Sequence, residues 1–197
     1  ATETVYENAA NFPVGTSTEE LVQSGSVLLD PETGGIKALV GGRGEHQFMG
    51  YNRATQLTRS PGSSIKPLVV YTPAVEEGYD ITDPLKDEKM SFGEYEPTNL
   101  SGEYKGEVPM YEAVINSLNV PTVWLLNEIG IDRGLDSLKR FGIPYDKDDR
   151  NLSIALGGMK KGVSPLQMAG AFSAFANEAE RMETHASVRI ENADGKE

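Results

Sequence analysis

An α+β fold with a helical subdomain is what this sequence predicts, on three observations: the order of its elements, its apolar content and its length. A strand pair comes first, helices fill most of the middle and a strand returns at the end, so the two kinds of element segregate along the chain. With 197 residues, 38% of them apolar, the chain can bury the core of one domain and is not a disordered segment. It carries no internal repeat.

Residues 1–23 read as a polar lead-in rich in Asn, Thr and Glu, either a linker or an edge element. Strands at 26–30 and 36–41 flank Pro31-Glu32-Thr33-Gly34-Gly35, a turn-forming string. The glycine-rich stretch 41–50 lacks the GxxxxGK[ST] pattern of a phosphate cradle and reads as a connection. After the Pro61-Gly62 break, a helix starts near Ser63 and runs through Leu68, Val69, Val70, Tyr71 and Ala74 to about Glu77, ending near Gly78. Its apolar face fixes its first residues by burial. Residues 79–108, with Pro84, Pro97 and several glycines, read as irregular. Helices follow at 109–116 and 121–129, opened by Pro109 and Pro121, and at 132–141, closed by Gly142. Another, at 165–177, opens with a capping box of Ser164 and Gln167. Residues 190–196 read as a strand running into a turn.

Composition excludes several functions. A net charge of −12 argues against nucleic acid, which calls for a basic stripe with stacking aromatics. Without cysteine there is no disulfide framework, thiolate metal site or thiol nucleophile. His46 and His185 stand far apart without metal-ligand spacing, so neither a metal site nor a Ser-His-Asp triad is expected. Trp124 sits in an apolar helix and reads as packing, and Asp146-Lys147-Asp148-Asp149-Arg150 as a solvated loop. No run reaches the length of a membrane span and no secretory signal is present.

The chemistry concentrates in Ser60-Pro61-Gly62-Ser63-Ser64-Ile65-Lys66. Residues i and i+3 of a helix share a face, which brings the Lys66 amine within reach of the Ser63 hydroxyl. A serine needs an adjacent base, and a lysine serves when burial lowers its pKa. Free N–H groups at a helix start can hold the oxyanion formed when a carbonyl is attacked. About fifty residues on, Ser117-Leu118-Asn119 falls on a connection between two helices. There Ser117 can relay a proton and Asn119 can hold Lys66 or a substrate amide; helix capping is the alternative for this tripeptide.

With both motifs in place, the chain resembles the transpeptidase domain of penicillin-binding proteins, whose signature is Ser-x-x-Lys, then Ser-x-Asn or Ser-Asp-Asn, then Lys-Thr-Gly. Ser26 to Gly42 looks like the family's opening hairpin. Tyr51-Asn52-Arg53-Ala54-Thr55-Gln56, Gly106-Glu107-Val108, Asn119-Val120-Pro121, the string from Gly162 to Ala169 and Phe175-Ala176-Asn177 are similar as well. Together they span about residues 24–177 and look most like class A enzymes, the bifunctional type that also carries a glycosyltransferase domain.

The resemblance implies an α+β fold in which an antiparallel sheet is flanked by helices and joined by a mostly helical subdomain, as in β-lactamases. Residues 24–197 form its N-terminal portion, after the lead-in of residues 1–23. It implies Ser63 as the acylated nucleophile, its N–H half of the oxyanion hole, and Lys66 as general base. Ser117 then passes the proton to the leaving group and Asn119 binds the acyl donor. No cofactor or metal is implied. The expected partners are peptidoglycan stem peptides and β-lactam antibiotics as covalent inhibitors, at the extracytoplasmic face of a membrane, with an anchor outside this sequence. No Lys-Thr-Gly occurs, the nearest string being Glu32-Thr33-Gly34 on a hairpin turn. In the family that motif lies on a later strand and supplies the second oxyanion donor and a cation for the substrate carboxylate. The ends at Ala1 and Glu197 therefore suggest a cut or truncated polypeptide, the remainder of the domain coming from elsewhere in the protein or from a separate chain. Glu178-Ala179 stands where the family usually has a glycine.

The reaction expected is D-alanyl-D-alanine transpeptidation, or carboxypeptidation when water replaces the acceptor amine. A serine β-lactamase is one alternative; it needs a carboxylate to activate water, and Glu128, Asp146, Asp148 and Asp149 are the acidic residues to consider. A penicillin sensor or inert scaffold is the other. The intact Ser63–Lys66 and Ser117–Asn119 sets argue against a scaffold, though a sensor must still be acylated. Tyr95 and Asn99 are candidates for substrate contact, with turn and packing roles as the alternative.

Overall fold

Pro31 to Gly35 reverse the chain as their composition demands, and the computed structural model, which describes residues 2–13, 21–45 and 47–187, shows an antiparallel pair on either side. The elements in order are α1 (Thr2–Glu7), β1 (Ser26–Leu29), β2 (Ile36–Val40), α2 (Thr72–Glu76), β3 (Pro84–Asp87), β4 (Gly106–Pro109), α3 (Met110–Ile115), α4 (Asn119–Ile129), α5 (Ile131–Arg140) and α6 (Pro165–Ala176). Short 3-10 turns and one π turn complete the α+β fold. The chain forms two compact units, residues 1–58 with 163–197, and residues 59–162. The strand expected at 190–196 and His46 lie outside the described residues.

In the first unit β1 and β2 run from Ser26 opposite Val40 to Leu29 opposite Ile36, with a bulge between Leu28 and Leu29. The Asp30 N–H donates to the Gly35 carbonyl and the Gly34 N–H to the Asp30 carbonyl, both at 2.9 Å. α6 packs on β1 and opens with the expected capping box of Ser164 and Gln167. Beyond its end, Glu178 (φ 47°) and Ala179 (φ 69°) both occupy the left-handed region. That is the backbone a glycine would adopt without strain, which accounts for the family's usual residue there. The His185 N–H donates to the Gly34 carbonyl. Arg43 donates to the carbonyls of Tyr6 and Val22, 2.8 Å each, and covers the Phe12 ring.

The second unit contains a strand pair that the sequence conceals. Residues 79–108, expected to be irregular, include β3 and part of β4, antiparallel from Pro84 opposite Pro109 to Asp87 opposite Gly106. Their prolines sit at the strand ends, where a missing N–H costs the ladder least. The helix expected from Ser63 to Glu77 is also more varied than a regular α-helix. It begins as a 3-10 turn, Gly62–Ile65, continues as a π turn, Pro67–Tyr71, and becomes α2 only at Thr72. Pro73 has no N–H to donate, and the Thr72 N–H bonds to the Pro67 carbonyl. The Leu68 carbonyl is taken instead by the Ser137 hydroxyl of α5 at 2.6 Å. Around this segment Ile65, Leu68, Val69, Val70, Val123, Leu125, Leu126, Leu138 and Ile154 are fully buried and form the unit's core.

The charged run 146–150 is exposed at Lys147, Asp148 and Arg150, as expected of a solvated loop, but two of its aspartates have structural roles. Asp146 caps a 3-10 turn at Lys147–Asp149, and Asp149 is buried. Its two oxygens accept the N–H groups of Asp146 and Lys160, both at 2.7 Å. Trp124 is half-buried in α4, with the Lys86 amine over its ring.

Gly134 lets α5 approach the π turn, because a methyl there would lie 2.7 Å from the Val69 carbonyl and 2.8 Å from a Leu126 methyl. In mid-helix alanine is favoured over glycine by up to about 1 kcal/mol, while overpacking against backbone costs about 1–3 kcal/mol. Gly134→Ala is therefore expected to lower the urea midpoint, and a raised midpoint would show that α5 is not held at that distance.

Candidate active site

Ser63 lies on the first turn of the helical segment, exposed, where backbone N–H groups lack intrahelical acceptors. Three residues with no role assigned from the sequence, Ser60, Gly157 and Gly162, hold that turn. The Ser60 hydroxyl donates to the Gly157 carbonyl at 2.6 Å and accepts the Gly62 N–H at 3.2 Å. Gly157 (φ 83°) has no room for a side chain, since a Cβ would fall 2.5 Å from the Gly62 nitrogen. At Gly162 (φ 75°) a Cβ would fall 2.2 Å from the Arg59 carbonyl carbon. The sequence signal for the two glycines is the cluster Gly157, Gly158 and Gly162 between Leu156 and Val163.

Lys66, one turn beyond Ser63, is 2% exposed. Its amine donates to the Ser117 carbonyl (2.7 Å), the Ser117 hydroxyl (3.2 Å), the Leu118 carbonyl (3.1 Å) and the Asn119 Oδ1 (2.9 Å). Two motifs some fifty residues apart thus meet on one amine. The expected hydrogen bond from Lys66 to Ser63 does not form among the described residues. A buried ammonium draws in the acceptors that replace its water, whereas the exposed Ser63 hydroxyl has solvent available. Burial pushes the Lys66 amine down from 10.5 to about 8, so the ammonium predominates at neutral pH and the free amine gains above that value.

The 117–119 corner has this shape because α3 ends in a Schellman motif. The Leu118 N–H returns to the Ala113 carbonyl at 3.0 Å and the Ser117 N–H to the Val114 carbonyl at 3.1 Å. Ser117 occupies the left-handed position of that motif, φ 50°, where glycine is the usual residue. The strain of a serine there points to a use for its side chain. Asn119 begins α4, ahead of the residue expected to open it, Pro121, which lies in the first turn. Its Nδ2 donates to the Thr98 carbonyl at 2.9 Å, leaving Oδ1 for Lys66. Behind the cluster the Thr122 hydroxyl donates to the Leu118 carbonyl and accepts from the Tyr71 hydroxyl, both at 2.6 Å. Burial pushes the Tyr71 phenol up to about 12, which keeps it a donor.

Of the two substrate-contact candidates, Asn99 is buried and bonded within the protein, and Tyr95 is half-buried in a bridge with Phe92. Glu32-Thr33-Gly34 lies in the β1–β2 turn, where the Thr33 hydroxyl accepts the Gly35 N–H.

A family model described as the penicillin binding protein transpeptidase domain matches residues 25–196, and the chain belongs to that family. It is 45% identical over 195 residues to penicillin-binding protein 2a of Streptococcus pneumoniae serotype 2 (strain D39), covering 97% of this chain and 26% of that protein. Over 173 residues it is 45% identical to penicillin-binding protein 1F of Bacillus subtilis (strain 168), covering 87% of this chain and 23% of that one. Among solved structures, penicillin-binding protein 1A from Haemophilus influenzae superposes with a TM-score of 0.79 at 31% identity, over 88% of this chain and 26% of that one. The chain spans about a quarter of the length of the curated relatives it matches.

The left-handed Ser117 gives a direct test of strain. Ser117→Gly and Ser117→Ala both remove the hydroxyl from Lys66, but only glycine relaxes the backbone, a gain of about 1 kcal/mol. Ser117→Gly is expected to be the more stable variant in urea titration by that margin, and equal midpoints would show that the corner is unstrained.

Proposed function

We propose that this chain is the nucleophile-bearing part of a penicillin-sensitive D-alanyl-D-alanine transpeptidase that cross-links peptidoglycan stem peptides. The observation that carries the reading is the buried Lys66 amine held by both Ser117 and Asn119, one turn from Ser63. Ser63 Oγ attacks the penultimate D-alanine carbonyl and its proton passes to the neutral Lys66 amine. For this step Lys66 turns from its resting acceptors towards Ser63; such contacts commonly tighten only with substrate bound. The Ser63 N–H stabilises the oxyanion. As the tetrahedral intermediate collapses, the proton travels through Ser117 to the departing D-alanine nitrogen, leaving an ester on Ser63. An amine of a neighbouring stem then attacks that ester, forming the cross-link and regenerating Ser63; water in its place gives carboxypeptidation. Asn119 orients the acyl donor through its remaining amide proton. The Lys-Thr-Gly motif that completes such a site does not occur in this sequence, and the rest of the domain supplies it. This chemistry belongs on the extracytoplasmic face of a membrane, with the anchor outside this sequence. Among the described residues no helix is long and apolar enough to span a membrane.

The β-lactamase alternative finds no support in the acidic residues. Glu128 is nine residues beyond Asn119 in α4, about 13 Å along the axis. Asp146 and Asp149 cap their own turn, and Asp148 pairs with Lys160.

Intact-mass spectrometry of the protein with the rest of its domain, after excess penicillin, is expected to show one stable adduct, absent from Ser63→Ala. An adduct that persists on Ser63→Ala, or none on the wild type, would overturn the assignment. With the neutral Lys66 amine as base, the acylation rate should rise with pH and level off above about 8. A rate independent of pH between about 6 and 9 would remove Lys66 from that role.

A further inference from the structure

α4 starts without a side-chain cap of its own, since its N-cap residue is Leu118. The cap comes from a distant loop. Asn99 Oδ1 accepts the Asn119 N–H at 3.0 Å and the Val120 N–H at 3.1 Å, the first two amides of the helix. Asn99 Nδ2 donates to Asp87 Oδ1 at 2.6 Å and to the Glu103 carbonyl at 2.9 Å. All four hydrogen-bonding positions of the carboxamide are therefore filled. Asn99 is 4% exposed and Asp87 1%.

Asp87 fixes which way the amide faces. A carboxylate only accepts, so the Asn99 nitrogen must point at Asp87 and its oxygen at α4. The second Asp87 oxygen accepts the Lys105 N–H at 3.1 Å. A buried carboxylate is costly to maintain unless it is bonded on every side. Its position at the end of β3, opposite Gly106 of β4, makes the strand pair the anchor of this arrangement. The neighbouring Thr98 carbonyl holds the Asn119 side chain by its Nδ2, 2.9 Å away. Consecutive loop residues thus fix the backbone and the side chain of Asn119, and its Oδ1 is left facing Lys66.

Resting on the transpeptidase reading, we propose that Asn99, oriented by Asp87, is a positioning residue for acylation that aims Asn119 and, through it, the Lys66 amine. Without Asn99 the first turn of α4 loses its acceptor, Asn119 swings, and Lys66 loses one of the groups that favour its charged form.

The test is the acylation rate of the full-length protein by a fluorescent penicillin, measured across pH for the wild type, Asn99→Ala, Asn99→Asp and the exchange variant Asp87→Asn/Asn99→Asp. Asn99→Ala is expected to acylate about tenfold more slowly, matching the loss of one well-placed hydrogen bond. Its rising limb should move to lower pH by roughly half a unit, because an acceptor that favours the ammonium has gone. Asn99→Asp sets two carboxylates face to face and should be slower still. The exchange variant again directs a donor from position 87 and acceptors towards Asn119 but leaves the Glu103 carbonyl facing a carboxylate oxygen, so it should recover part of the rate lost in Asn99→Asp even if Asn99→Ala fails to fold. Wild-type rate and profile in Asn99→Ala would overturn the inference while leaving the transpeptidase reading intact. So would a slower rate with an unmoved profile, or an exchange variant no faster than Asn99→Asp. Absence of acylation in the wild type would overturn both.

Discussion

Taking a lysine amine out of water requires acceptors in water's place, and around Lys66 these come from three consecutive residues, 117 to 119. The corner between α3 and α4 must therefore close on a point. The left-handed Ser117 turns two carbonyls the same way, and starting α4 at Asn119 brings a carboxamide alongside them. Four acceptors surround three ammonium protons, so the resting amine is well satisfied while burial still eases the loss of its proton. A lysine held in this way gives up its proton more readily than one in water, with no carboxylate among its hydrogen-bond partners.

The helix that carries Lys66 is shaped by two prolines. Pro67 and Pro73 lack N–H groups, and the hydrogen bonding between them shifts to a π turn. The Leu68 carbonyl that this turn exposes needs a donor in a buried setting, which Ser137 supplies, and Gly134 leaves space beside the Val69 carbonyl. α5 thereby fits the irregular turn directly, and the position of Lys66 along the helix follows from that packing. At the other end, Ser60, Gly157 and Gly162 fix the backbone ahead of Ser63 through close approach and a single hydroxyl. Ser63 and Lys66 are held from opposite directions on one short segment.

Much of the molecule can be read from local chemistry. Pro31 to Gly35 form the turn between β1 and β2, Ser164 and Gln167 open α6, and the apolar stretches around α3, α4 and α5 give helices close to their expected limits. Less legible are features that depend on a partner distant in sequence. The β3–β4 pair is masked by its prolines, whose tolerance at strand ends is evident only once the register is known. Asp149 reads as one charge in a solvated run until Lys160 arrives with its N–H. Asn99 looks like a loop residue until α4 is found without a cap.

The sequence by itself determined the reactive groups and their order: a serine and a lysine three residues apart after a Pro-Gly break, then a second serine and an asparagine between two helices. Those follow from side-chain chemistry and spacing, which are local. Only the tertiary structure decided which of them meet. It gave the Lys66 amine to Ser117, Leu118 and Asn119 instead of Ser63, and it fastened Asn119 to Asn99 and Asp87. The reason is that a buried donor must find acceptors wherever the packed chain provides them, and where that lies depends on contacts spanning tens of residues.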